Sequence, residues 1–277
     1  GLVFGAEVAP RLLRNPAYRA ILIRDAGMVV AGNALKWGPL ERIRHTMRFR
    51  GADTVARFAE THGMAIRGHT FLWHRMVPGW LPSAFRDDGE DPARLLAGHI
   101  RAVGERYRGR MHSWDVVNEA IEPDDGRPDG LRNSLFLQAL GPAYLELAFH
   151  TAAEADPHAR LVFNDYGQEW GWEVGRRRRD ATLRLLENLL KKDVPVHAVG
   201  IQGHLDPGVD GAMDMHSLGR FCDEVADLGL TIQVTELDAR DTSIRGGIAK
   251  RDRLVADAYA RFLETVLARP ATKAVVT

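Results

Sequence analysis

WDVVNEAI, residues 114–121, decides how this chain is read. Trp114, Val116 and Val117 mark a buried strand, yet the run closes on Asn118 and Glu119. A carboxylate at the mouth of an apolar run costs free energy unless a partner or a reaction uses it. Extended back to 111–118, MHSWDVVN, the strand has seven counterparts. They are 3–8 VFGAEV, 27–31 GMVVA, 64–72 MAIRGHTFL, 160–165 RLVFND, 197–202 HAVGIQ, 230–236 LTIQVTE and 273–277 KAVVT. Amphipathic stretches separate them, among them GADTVARFAETHG, with Val55, Phe58 and Ala59 at helical spacing. Strands that alternate with helices predict a parallel sheet. Eight such units predict a closed α/β fold, the (β/α)8 or TIM barrel, with residues 1–277 as a single domain.

Composition narrows the function. The 37 basic and 37 acidic residues balance, so no global field attracts nucleic acid or an anionic membrane, and a neutral partner is expected. No apolar run approaches the roughly 18 residues of a membrane span. The single Cys222 cannot close an internal disulfide, which leaves the redox compartment open. No signal peptide is visible, but Gly1 begins almost inside a strand, so this says nothing about export. No metal motif and no dinucleotide or phosphate loop is present, so neither metal nor cofactor is expected. EPDDGRPDG (122–130) lacks the spacing and closing Glu of a calcium loop and reads as turns. RRRR (176–179) reads as a solvated surface ahead of a helix, and Trp80, Trp114, Trp170 and Trp172 read as core.

Polar residues gather where the strands end: RGHT, VNE, FNDY, IQGH and VTELD. In a barrel of this type that end is the catalytic face. Glu119 ends the fourth strand and Glu236 the seventh, so the two carboxylates can flank one bond across the mouth. Two carboxyls whose surroundings push their pKa values apart can divide acid, base and nucleophile duties, as cleavage of a glycosidic bond requires. Period two puts Gln202 with His204, and Glu236 with Asp238. With strands six and seven adjacent, His204 can bond Glu236 while Asp238 fixes its tautomer, and a carboxylate held by a donor stays ionised. Asn118 reads as a strand-end cap or a substrate contact, and Gln202 as a support or a plain pocket-wall group. Consecutive strand residues point opposite ways, so a bulge or strand end must let both Asn118 and Glu119 reach the pocket.

FGAEV, GNALKW, RGHTFLWH, WDVVNEA, FNDY, GIQGHL and VTELD together resemble glycoside hydrolase family 10, the retaining endo-β-1,4-xylanases, in the family's order and over almost the whole chain. The resemblance implies Glu119 as acid/base and Glu236 as nucleophile. Asn118 would bond the sugar 2-hydroxyl, and His204, supported by Asp238, would orient Glu236. His69 would line the site of the attacked sugar, Trp73 would pack beneath it, and Asn33 and Lys36 would bind the next sugar out. It further implies a poly- or oligosaccharide substrate, a monomer, and a secreted or periplasmic location.

The pattern is broken in three places. Gly32 stands where the family usually has Glu, and Met76 where it has Gln. Both changes remove hydrogen bonds to the glycone, so the same chemistry on another β-glycan stays open. The chain stops at AVVT, before the family's WG after strand eight. That predicts an incomplete last βα unit and an exposed groove between the first and seventh helices. It also keeps open a carbohydrate-binding barrel without turnover.

Overall fold

The computed structural model describes residues 1–86, 89–209 and 211–277. Strands and helices alternate: β1 (Val3–Glu7), α1 (Pro16–Asp25), β2 (Met28–Val30), α2 (Arg50–Thr61), β3 (Ala65–Gly68) and α3 (Pro92–Arg106). They continue with β4 (Ser113–Asn118), α4 (Ala143–Ala155), β5 (Arg160–Asp165), α5 (Glu173–Leu190), β6 (Ala198–Ile201), α6 (Met215–Asp227), β7 (Thr231–Val234), α7 (Ile248–Leu267) and β8 (Thr272–Val276). Neighbouring strands pair in parallel, and β8 returns to β1 with Ala274 opposite Val3 and Val276 opposite Gly5. β3 pairs with β4 through Gly68 and Trp114. The sheet is therefore a closed eight-stranded barrel, as the alternation of patterns predicts.

Period-two alternation sorts the side chains. Met28, Val30, Ala274 and Val276 form a small apolar cluster of their own. Their outward neighbours Val29 and Val275 belong to the main core with Ile66, Val199 and Ile232. Helices close over that outer layer. In α2 the buried positions are Ala52, Val55, Ala56 and Ala59, spaced three and four apart, with Phe58 only partly covered. Side-chain caps start several helices: Asn15 accepts from Ala17 N, Asp91 from Ala93 N and Asp214 from Ser217 N. Pro16 and Pro92 occupy first positions, where a missing N–H is no loss.

Below the mouth the barrel interior is charged. Arg67 and Asp115 are fully buried and paired side by side, and Arg67 Nε also donates to Gln233 Oε1 at 3.1 Å. This layer joins β3, β4 and β7 directly beneath the residues of interest.

Three expectations change. The run 64–72 is not one strand: β3 stops at Gly68, and Leu72–Trp73 re-pairs with Val117–Asn118. A Cβ at Gly68 would stand 2.0 Å from the Trp114 ring, so only glycine admits the indole there. RRRR lies inside α5 and is not uniformly solvated: Arg176 is exposed, whereas Arg178 and Arg179 are buried. Trp172, expected in the core, is 40% exposed. Trp114 is fully buried with its Nε1 on Asp156. Trp80 donates to the Glu41 carbonyl and packs edge-on against Trp37. Among the described residues no helix is long and apolar enough to cross a membrane. Apolar side chains stand exposed at Leu2, Phe4, Ile21, Ile23, Ile248 and Leu267, on the first β/α unit and α7.

Candidate active site

Glu119 follows β4 directly. The β4–β5 register slips between Asp115 and Val117, and Glu119 itself is left-handed, with φ +58°. The slip and the left-handed residue let Asn118 and Glu119 face one pocket, as the alternation argument demands. A left-handed side-chain-bearing residue costs about 1–3 kcal/mol and persists only where its surroundings dictate it. Here Glu119 N donates to Asn164 O at 2.9 Å and Arg132 Nε donates to Glu119 O at 2.7 Å. Arg132 is held by Tyr166 Oη at 3.0 Å and Glu122 at 3.1 Å, and Arg178 bonds the same Tyr166 and Glu122, each at 2.7 Å. Asp165 completes the layer, accepting from Ile121 N at 2.9 Å; burial pushes its carboxyl up to about 7 against the pull of Arg178.

The Glu119 carboxyl sits among amides. Asn118 Nδ2 donates to its Oε1 at 3.4 Å and Gln202 Nε2 at 3.3 Å, and Gln202 also reaches Asn118 Oδ1 at 3.2 Å. His74 Nδ1 stands 3.8 Å from Oε2. Burial first, and then the field of Arg132, bring the His74 imidazole down to about 4, so it is neutral near pH 7.

Glu236 stands just past β7 and lines a cavity with His69 and His204. Asn164 Nδ2 donates to its Oε1 at 2.9 Å, and His204 Nε2 lies 3.5 Å from Oε2. Burial alone would raise this carboxyl. The His204 bond, the fields of His69 and His204, and the Asn164 bond outweigh it and take it down to about 2. His204 is pinned on its other side by Asp238, at 2.9 Å from Nδ1. The Asp238 bond, followed by the Glu236 bond, lifts the imidazole to about 10, so the ring carries both protons at neutral pH. Asp238 and Glu236 thus face the two ring nitrogens of His204 from opposite sides.

Asn164 links the two halves. Its Nδ2 also donates to Asn118 Oδ1 at 2.7 Å, and its Oδ1 accepts from Thr235 Oγ1 at 2.7 Å. His69 Nδ1 lies 2.7 Å from Asp115 Oδ2, which ties the mouth to the charged layer below. Lys36 Nζ donates to Asn33 Oδ1 at 2.8 Å and lies 4.6 Å from the Trp73 ring centre. Burial lowers the Lys36 ammonium, while the carboxylates of Glu236, Glu7, Glu119 and Asp115 act to retain its charge. Asn33, Lys36, His69, His204, Glu236 and Asp238 share one cavity of about 380 Å³.

All ten expected residues thus gather at the C-terminal ends of the strands or on the loops that follow. Asn164, His74, Arg132 and Glu122 were not among them. FNDY signalled a polar strand end but not which neighbours Asn164 would join, and Arg132 lies 13 residues beyond the carbonyl it holds. Among the described residues no group of three or more His, Cys, Asp or Glu is placed to hold a metal ion. The chemistry available is that of two carboxyl side chains in different settings, Glu236 beside an imidazole and Glu119 in an amide cradle, with further hydrogen-bonding side chains alongside.

Comparison with known proteins agrees with this geometry. An endo-1,4-beta-xylanase B of Thermotoga neapolitana is 34% identical over 259 residues, covering 93% of this chain and 71% of that protein. An endo-1,4-beta-xylanase of Agaricus bisporus is 35% identical over 218 residues, covering 79% of this chain and 62% of that one. The crystal structure of xylanase 10B from Thermotoga petrophila RKU-1 in complex with xylobiose superposes with a TM-score of 0.87 at 29% identity, covering 99% of this chain and 81% of that one. The family model described as glycosyl hydrolase family 10 matches residues 1–277, and the chain belongs to that family.

Proposed function

We propose that this chain is a retaining, endo-acting glycoside hydrolase that cleaves β-1,4-linked xylan and xylo-oligosaccharides by double displacement. The observation that carries the reading is Glu236 bonded by Asn164 and flanked by His204, while Asn118, itself bonded to Asn164, joins Gln202 in cradling Glu119. Protonated Glu119 gives its proton to the leaving glycosidic oxygen while ionised Glu236 attacks the anomeric carbon. Glu119, now a base, takes a proton from water, which attacks the same carbon and frees Glu236. Asn118 receives the 2-hydroxyl of the attacked sugar. His204, fixed by Asp238, keeps Glu236 aimed and ionised. His69 and Trp73 line the seat of that sugar, while Asn33 and Lys36 take the next one. The relatives named above are xylanases, which supports xylan as the polymer. Xylan is too large to cross a membrane and is met outside the cytoplasm, so a secreted or periplasmic enzyme fits the polymer as substrate.

Digestion of a polysaccharide panel, with anomeric proton spectra recorded during hydrolysis, tests the reading. Xylan should be cleaved internally, with products first appearing as β-anomers. Glu236→Ala should abolish turnover. Glu119→Ala should spare the first step on aryl glycosides, whose leaving groups need no proton. α-Anomers appearing first, or undiminished activity in Glu236→Ala, refutes the assignment.

A further inference from the structure

This inference rests on the glycosidase reading above. Gly32 opens the turn that carries Asn33 and Lys36, and its backbone is left-handed at φ +46°. A Cβ placed on Gly32 would lie 2.5 Å from Glu7 Oε1 and 3.4 Å from Glu7 Cδ. The Glu7 carboxylate therefore fills the space that a side chain at position 32 would need. It arrives from a different strand: Glu7 closes β1, where its backbone N donates to Thr277 O at 2.9 Å and its carbonyl accepts from Tyr18 Oη at 3.2 Å.

Among the described residues nothing hydrogen-bonds or ion-pairs with this carboxylate. It lines the same cavity as Asn33, Lys36, His69 and Glu236. Of the carboxylates whose fields act on the Lys36 ammonium, only Glu236 acts more strongly. A backbone fixed at two points thus presents two acceptor oxygens with unused lone pairs beside an ammonium donor. That combination suits adjacent hydroxyls of a pyranose, which need acceptors as well as donors. We propose that Glu7 is a substrate-binding carboxylate for the sugar one unit beyond the attacked one, standing in the space left by Gly32. The hydroxyl-binding charge at that position comes from β1 instead of from the turn after β2.

The test compares 4-nitrophenyl β-xyloside, which fills only the attacked-sugar site, with 4-nitrophenyl β-xylobioside, which also fills the next one. The full chain and its Glu7→Ala, Glu7→Gln, Gly32→Ala and Glu7→Ala/Gly32→Ala variants are assayed on both. A lost hydrogen bond to a charged group corresponds to about a tenfold to hundredfold change. Glu7→Ala should lower kcat/KM on the bioside by that factor more than on the monoside, with Glu7→Gln in between and the melting temperature unmoved. Gly32→Ala, whose methyl displaces the carboxylate, should give a bioside-selective loss that is smaller when Glu7 is already alanine, where only the backbone strain at φ +46° remains. Equal loss on both substrates, or none on the bioside, overturns the assignment. A Gly32→Ala loss of the same size with and without Glu7 overturns the shared space. The matching glucoside and cellobioside separate the two layers: if only these are cleaved, the xylan reading falls and Glu7 is judged on that pair. If wild type cleaves neither pair, the glycosidase reading falls. Glu7→Ala must then weaken calorimetric binding of xylotriose or cellotriose by the same factor, or the assignment falls too.

Discussion

His204→Ala separates what ionises Glu236 from what positions it. The His204 bond is the strongest influence lowering that carboxyl, while burial pushes the other way. A hydrogen bond to a charged group contributes about 1.5–3 kcal/mol, and one pKa unit is about 1.4 kcal/mol. The His204–Glu236 contact is long, at 3.5 Å, and the imidazole is 43% exposed. Solvent screening therefore favours the low end, an upward shift of about one unit from about 2. The sign follows. A carboxyl lowered on folding stabilises above its ordinary value near 4.5 and loses that contribution as pH falls toward about 2. Without His204 the contribution is smaller and the acid limb of kcat/KM moves up. Profiles from pH 3 to 7 should be nearly flat on the acid side for wild type but bend between about pH 3 and 4 in the variant. At pH 6 Glu236 is ionised in both, so the remaining loss there reports positioning alone and should stay within about tenfold. His204→Gln, which can still donate a hydrogen bond but carries no charge, should bend between wild type and His204→Ala. An acid limb that does not move, or the same fold-loss at pH 3 and pH 6, refutes the argument.

Asp238→Asn acts at the other end of the scale. The Asp238 bond is the main reason His204 rises to about 10, so the variant should lose the imidazolium at lower pH. Activity should then decline above about pH 7–8, where wild type still holds it. A histidine raised on folding stabilises fully below its ordinary value of 6.5 and loses that contribution as pH climbs toward about 10. Melting temperatures at pH 6 and pH 9 should therefore differ less in Asp238→Asn than in wild type, and an unchanged difference would count against the ion triad. Arg67→Met strands Asp115 in the barrel interior and should cost about 3–5 kcal/mol in urea unfolding. Adding Asp115→Asn should recover part of that cost, and a loss under about 1 kcal/mol contradicts the buried pairing. Arg132→Ala frees the Glu119 carbonyl, so the left-handed residue should relax and kcat fall at least tenfold, with KM changed much less.

What sequence reading could reach here depends on whether a pattern is local. The apolar run into Asn118 and Glu119 needs only period two and length, and β4 ends where that run does. Closure into a barrel then makes β6 and β7 neighbours, so His204 and Glu236 meet as anticipated. The four arginines misled because a helix turns about 100° per residue: two positions rotate a side chain by about 200°, from solvent at Arg176 to the layer behind Glu119 at Arg178. Charge runs speak for exposure only when the backbone is not periodic. Asn164 shows the converse limit. It meets Glu236 across 72 residues and Asn118 across 46, and no spacing rule distinguishes it from any other strand-end amide. Glu7 carries the same local signal as Glu119, a carboxylate ending an apolar strand. Its consequence lies in Gly32, a residue whose contribution is the absence of a side chain. Reading sequence for chemistry looks for groups that are present, and here a subsite turns on the space that a missing group leaves for another strand to fill.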